Sequence, residues 1–202
     1  MHAGVVVAGG RSTRFGEGDK ALAPLAGTPM VRRVADRLAG PVDELVVNCR
    51  TDQRAEIRAA LEGYPRPVRF AIDDAPDEGP LAGMRTGLAT TDADLAAVVA
   101  CDLPFLDPGF VRYLFDRAAA HDAAVPYPDG DPEALHAVYR PGPAVGACER
   151  ALDRGDRRAR AALEGLDRAR VVAEEVEAHA VVRTFENVNT RAALADAAER
   201  LA

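Results

Sequence analysis

The chain has 202 residues, a net charge of −7, 48% hydrophobic and 28% charged residues, which suits one globular domain. The acidity argues against a nucleic-acid-binding surface, and no apolar run approaches the ~20 residues that span a membrane. The first residues lead directly into a strand, without room for a signal peptide. Cys49, Cys101 and Cys148 are too scattered for a disulfide framework or a zinc site, so the expected location is the cytoplasm.

The short β-branched run Val5-Val6-Val7 reads as a buried strand. It ends in Ala8-Gly9-Gly10, followed by a loop carrying Arg11, Arg14 and Lys20. Adjacent glycines bare the backbone N–H groups, and the cations add charge, so the loop is suited to an anion such as a triphosphate. Lys20 is the only lysine among 25 basic side chains. A compact ammonium on a flexible stem is something a guanidinium cannot imitate. The Walker loop and the dinucleotide fingerprint are both excluded: Asp19 precedes Lys20, and Gly9 and Gly10 are adjacent.

Thr28 and Pro29 are expected to cap and open a helix that stops at Gly40. Leu45-Val46-Val47 is a second strand ending in Asn48, and residues 51–62 have helical spacing. Residues 68–72 form a third strand, delivering Asp73 and Asp74. A helix is expected from Gly79-Pro80-Leu81-Ala82-Gly83-Met84 to about Thr90, then the most apolar strand, Leu95 to Ala100, running into Cys101-Asp102-Leu103-Pro104. Asp107 and Pro108 cap a helix to about His121. Strands at 123–127 and 135–139, helices at 145–154 and 157–166, short strands around Val171 and Val181, and a final helix capped by Thr190 complete the chain.

Alternating strands and helices predict a mostly parallel sheet with helices on both faces. Ligands of such sheets sit at the carboxyl ends of the strands. The glycine loop, Asn48, Asp74 and Asp102 then converge on one edge.

Ala8-Gly9-Gly10, Arg14-Phe15-Gly16, Asp19-Lys20, Pro24-Leu25, Gly27 and Pro29 resemble the nucleotidyltransferase signature. With Gly79 to Met84, Cys101 to Pro104 and Asn187-Val188-Asn189-Thr190, nearly the whole chain is similar to the molybdenum cofactor guanylyltransferases. That resemblance implies an α/β, Rossmann-like three-layer sandwich of the nucleotide-diphospho-sugar transferase type. It implies one domain over residues 1–202, the N-terminal half binding GTP and the C-terminal half the acceptor. The implied reaction is Mg²⁺-dependent transfer of GMP from GTP to molybdopterin, giving molybdopterin guanine dinucleotide and pyrophosphate. Relatives sharing the first loop transfer CMP to molybdopterin or GMP to a corrinoid phosphate. The Pro80-Leu81-Ala82-Gly83 and Asn187-Val188-Asn189 motifs favour the guanylyl reading. A non-catalytic nucleotide-binding partner of molybdoenzyme assembly is disfavoured by retention of Lys20 and Asp102.

The resemblance assigns GTP binding to Val7, Ala8, Gly9, Gly10, Lys20, Asn48, Asp74 and Asp102. Lys20, Asp102 and Arg14 are the candidate catalytic residues, and Asp102 the Mg²⁺ ligand. Asn187, Asn189 and His136 fall near the acceptor, and Arg157, Arg158 and Arg160 form a segment that suits either a phosphate or a solvated helix face. Asp73 reads as a solvated loop acid beside Asp74. Cys101 reads as a small buried residue, because no base accompanies it. Molybdoenzymes or their assembly factors would receive the product, from a monomer or weak homo-oligomer.

Overall fold

The fold is known from a computed structural model that describes residues 1–10, 15–16, 18–73 and 78–201. Strand β1 (His2–Val7) leads into the loop, and a 3-10 turn (Lys20–Leu22) precedes the hairpin β2 (Pro24–Leu25) and β3 (Thr28–Pro29). Then come α1 (Met30–Leu38), β4 (Glu44–Cys49), α2 (Arg54–Ala60), β5 (Val68–Ile72), α3 (Pro80–Thr90), β6 (Leu95–Ala100) and α4 (Pro108–Ala118). The second half contains β7 (Ala123–Tyr127), β8 (His136–Tyr139), α5 (Pro141–Asp153), β9 (Arg168–Val172), α6 (Ala173–His179) and α7 (Arg191–Glu199).

Seven strands form one sheet in the order β5-β4-β1-β6-β8-β7-β9. Only β8 runs against its neighbours β6 and β7; the other pairings are parallel. This is the expected mostly parallel sheet, and its faces are separated by the two-residue alternation of strands. On β6, Ala97 and Val99 join Val34 of α1 and Phe110 of α4 on one side. Ala96 and Val98 join Met84 of α3 and Cys148 of α5 on the other. Chain order reverses at β1, with β4 on one flank and β6 on the other, which opens a crevice at their carboxyl ends.

Three local expectations are corrected. Thr28 does not cap a helix: Ala26 and Gly27 both take positive φ (46° and 78°), a two-residue turn that folds 24–29 into a hairpin. Helix α1 then starts from Pro29 without a side-chain cap. The helix expected over 157–166 is only a 3-10 turn, Ala159–Leu163, confined between Gly155 and Gly165, both at positive φ. Val181 joins no strand; its N–H donates to Asp107 Oδ2 at 2.9 Å, in a bend between α6 and a 3-10 turn. Asp107 does cap α4, accepting from Gly109 N at 2.7 Å.

Glycines bring α3 down onto the sheet. A Cβ at Gly87 would stand 2.4 Å from Val5 Cγ1, and one at Gly83 would stand 2.3 Å from Asn48 Oδ1. Helix propensity alone would make Gly87→Ala stabilising by up to about 1 kcal/mol. Overpacking against Val5 reverses that sign, so the variant loses about 1–3 kcal/mol in urea unfolding. A stability gain would show that α3 is free to move away.

Candidate functional site

A cavity of about 340 Å³ opens at the carboxyl ends of β1, β4, β5 and β6, lined by Val7 to Gly10, Lys20, Asn48, Asp73, the Glu78–Pro80 turn and Asp102. Each strand hands over one polar feature as it ends, and Pro80 at the first turn of α3 turns that helix N-terminus toward the same space. A bared backbone loop beside a helix N-terminus is an anion site.

The glycine loop is held from behind. Arg50 Nη1 donates to the carbonyls of Gly9 and Gly10 at 3.2 and 3.1 Å. Gln53, 3% exposed, donates to Ala8 O at 3.1 Å. Both side chains also reach Asp19 Oδ2, whose Oδ1 accepts from Ala21 N at 2.9 Å and so starts the 3-10 turn carrying Lys20. The loop carbonyls are thereby drawn toward Arg50 and Gln53. None of these roles for Arg50, Gln53 and Asp19 was legible, because each bond joins residues more than thirty positions apart, the 3-10 cap excepted.

Lys20 crosses the cavity. Its Nζ lies 2.6 Å from Asp102 Oδ2 and 2.9 Å from Asn189 Oδ1. Both charged side chains are nearly withdrawn from water, at 13% and 9% exposure. Asn189 is delivered by the segment after the last 3-10 turn, which Val188 N fastens to Asp102 O at 2.9 Å. Asp102 Oδ1 is buried without a hydrogen-bond partner among the described residues. An orphaned carboxylate oxygen at a cavity wall suits a hard cation, and Mg²⁺ commonly takes one or two carboxylates with substrate phosphates completing its shell. Among the described residues no group of three or more His, Cys, Asp or Glu could hold a metal alone.

Asn48 is fully buried and its amide is fixed: Nδ2 donates to Ala71 O at 3.2 Å and Asp73 Oδ1 at 2.6 Å. Its Oδ1 has no partner among the described residues. Asp73 therefore is not the solvated acid expected from sequence. It lines the cavity, and a Cβ on Gly9 would lie 2.3 Å from its Oδ2, so the loop closes over it only because Gly9 has none. Asp74 and Arg14, with Arg11, lie outside the described residues.

The structure brings together Val7, Ala8, Gly9, Gly10, Lys20, Asn48, Asp102 and Asn189. A second groove of about 440 Å³ shares Asp102 and Pro80 with the first cavity and is lined further by Asn187, Arg158 and Arg160. Arg158 forms a two-pronged pair with Asp156, at 3.0 and 2.6 Å. His136 is not brought to either space. Alternation along β8 turns it to the opposite face, 1% exposed, edge-on to Phe110 and 4.6 Å from the Phe185 ring centroid. Burial holds its imidazole down at about 3, with Asp107 opposing weakly. Burial pushes the Cys101 thiol up to about 12 and that of Cys49 to about 11, so neither is a nucleophile near neutrality.

The MobA-like NTP transferase domain matches residues 4–174. A probable molybdenum cofactor guanylyltransferase of Natronomonas pharaonis is 51% identical over 98% of this chain and 97% of the relative. One from Haloferax mediterranei is 41% identical over 93% and 89%. The crystal structure of molybdopterin-guanine dinucleotide biosynthesis protein A from Archaeoglobus fulgidus superposes with a TM-score of 0.78 at 26% identity, covering 98% of each chain. In fold alone, 4-diphosphocytidyl-2C-methyl-D-erythritol synthase from Anaerococcus prevotii is similar, with a TM-score of 0.73 at 13% identity over 99% of this chain and 97% of the other.

The buried neutral His136 makes stability pH-dependent. An unfolded histidine takes up a proton near pH 6.5, whereas the folded one does so only near 3. Between those values the unfolded chain binds more protons, so this residue's contribution to stability declines as the pH is lowered, by up to about 1.4 kcal/mol per unit. In urea unfolding at pH 7 and pH 5, His136→Leu loses less stability than the wild type on acidification. Equal losses would show that His136 is solvated.

Proposed function

The chain belongs to the MobA-like NTP transferase family, and from that premise we propose that it transfers GMP from GTP to molybdenum-bearing molybdopterin, forming molybdopterin guanine dinucleotide and pyrophosphate. The observation that carries the reading is the meeting of a bared glycine loop, Lys20, Asp102 and Asn189 in one crevice. The guanylyltransferase relatives, covered almost end to end, support the choice of nucleotide and acceptor.

The terminal phosphate of the acceptor attacks the α-phosphorus of GTP. One P–O bond forms, the α–β bridge breaks and pyrophosphate leaves. The nucleophile is already an anion, so no base has to remove a proton. The obstacle is bringing two anions together, and positioning with charge neutralisation is what this site offers. Gly9 and Gly10 present backbone donors to the triphosphate, held in place by Arg50 and Gln53. Lys20 moves its ammonium from Asp102 to the phosphate oxygens and stabilises the leaving pyrophosphate. Asn48, oriented by Asp73, meets the guanine nucleotide. Asp102 would hold Mg²⁺, which when bound neutralises charge on the triphosphate. Asn187 and Asn189 face the acceptor from the C-terminal segment. The N-terminal half thus serves the nucleotide and the C-terminal half the acceptor, within one cytoplasmic domain; no helix is long and apolar enough to cross a membrane among the described residues.

Purified protein supplied with Mg²⁺, molybdopterin and GTP releases pyrophosphate, whereas CTP or ATP gives little. Release with CTP alone would overturn the guanylyl assignment. Lys20→Met lowers kcat/KM by about a hundredfold, and Lys20→Arg recovers only part of that loss because a bulky, rigid planar fork cannot swing from Asp102 to the phosphate oxygens as a compact ammonium on a flexible stem does. Full activity of Lys20→Arg would refute the need for an ammonium.

A further inference from the structure

The groove beyond Asp102 has a polar group that no step above uses. Glu133 lies on its wall with Pro132, Ala134, Leu135, Leu103 and Pro80. Its backbone is fixed from both sides, the N–H donating to Pro126 O at 2.9 Å and the carbonyl accepting from His136 N at 3.1 Å. The carboxylate is half-buried, yet it forms no hydrogen bond or ion pair with a described residue; Arg158, on the same groove, is committed to Asp156. Burial, with Asp129 and Asp131 nearby, raises its carboxyl above the usual range. A half-buried carboxylate without a partner is costly, and it gains more from two N–H donors than a solvated one would.

We propose that Glu133 receives the acceptor's pterin, its two oxygens accepting from the ring N3–H and the 2-amino group on the same edge of the heterocycle. The inference rests on the guanylyltransferase reading and names the residue that recognises the acceptor's ring. The groove fits such a molecule in its chemistry. Proline, alanine and leucine side chains offer flat apolar walls to a fused ring. Asp102, on the border with the nucleotide cavity, marks where the acceptor's phosphate has to arrive. Guanine carries the same amide–amine edge through N1–H and its own 2-amino group. The phosphate loop and Asn48, however, line the cavity on the other side of Asp102, and Glu133 does not line that cavity.

The test compares wild type, Glu133→Gln and Glu133→Ala in two measurements. One is the binding of molybdopterin followed by isothermal titration calorimetry. The other is pyrophosphate release with GTP and molybdopterin varied separately. Losing a charged acceptor of two hydrogen bonds weakens molybdopterin binding and raises its KM by about 10–100-fold, while the KM for GTP and the midpoint of thermal unfolding hold. Unchanged molybdopterin affinity in both variants overturns the inference, and so does a raised KM for GTP alone, which would assign Glu133 to guanine. Wild-type protein that binds molybdopterin through Glu133 but releases no pyrophosphate would instead refute the transfer reaction and leave the ring contact standing.

Discussion

The contact between Lys20 and Asp102 is the constraint on which the site depends. It spans the mouth of the crevice, from the loop after β1 to the end of β6, at 2.6 Å. As a source of stability such a pair is a poor choice, since withdrawing two charges from water offsets most of their attraction. Its value lies in what it prepares. The ammonium borders the cavity beside the glycine loop, and among the described residues the carboxylate still has one buried oxygen without a partner. Asn189 shares the ammonium at 2.9 Å, so the C-terminal segment is tied to the same two charges.

Much of the surrounding structure serves to hold those two groups at that spacing. Parallel pairing of β1 with β6 fixes the register, Val7 opposite Ala100, that sets the two strand ends side by side. Arg50 and Gln53 hold the loop from the β4 side, and Asp19 is shared between them and the turn that aims Lys20. Gly83 and Gly87 let α3 settle close enough for its first turn to form a wall. The absence of a Cβ is thus used twice, once in the loop for access and once in the helix for packing.

The sheet was legible in the sequence because its inner strands are buried on both faces and read as unbroken apolar runs. The polar residues that end them, Asn48 and Asp102 in particular, stand out for the same reason. What could not be read depended on distance or on orientation. Asp73 reads from sequence as a solvated loop acid, yet its carboxylate accepts from Asn48 across 25 positions of chain, while Asp74 lies outside the described residues. His136 sits in a strand whose alternate residues face opposite layers, and only the packing of Phe110 and Phe185 reveals which layer it joins. Thr28 looked like a cap because Pro29 follows it, yet two positive-φ residues before it had already turned the chain into a hairpin.

Calorimetric titration of GTP into wild type and Asp102→Asn, with and without Mg²⁺, tests the division of labour between the two charges. If Lys20 serves the phosphates and Asp102 the metal, Mg²⁺ tightens GTP binding to the wild type by about tenfold or more, a differential of at least ~1.4 kcal/mol. In Asp102→Asn that gain disappears, while metal-free GTP binds at least as well as to the wild type because Lys20 is no longer held by a carboxylate. A variant that keeps the full Mg²⁺ effect would contradict the assignment of Asp102 as the metal anchor.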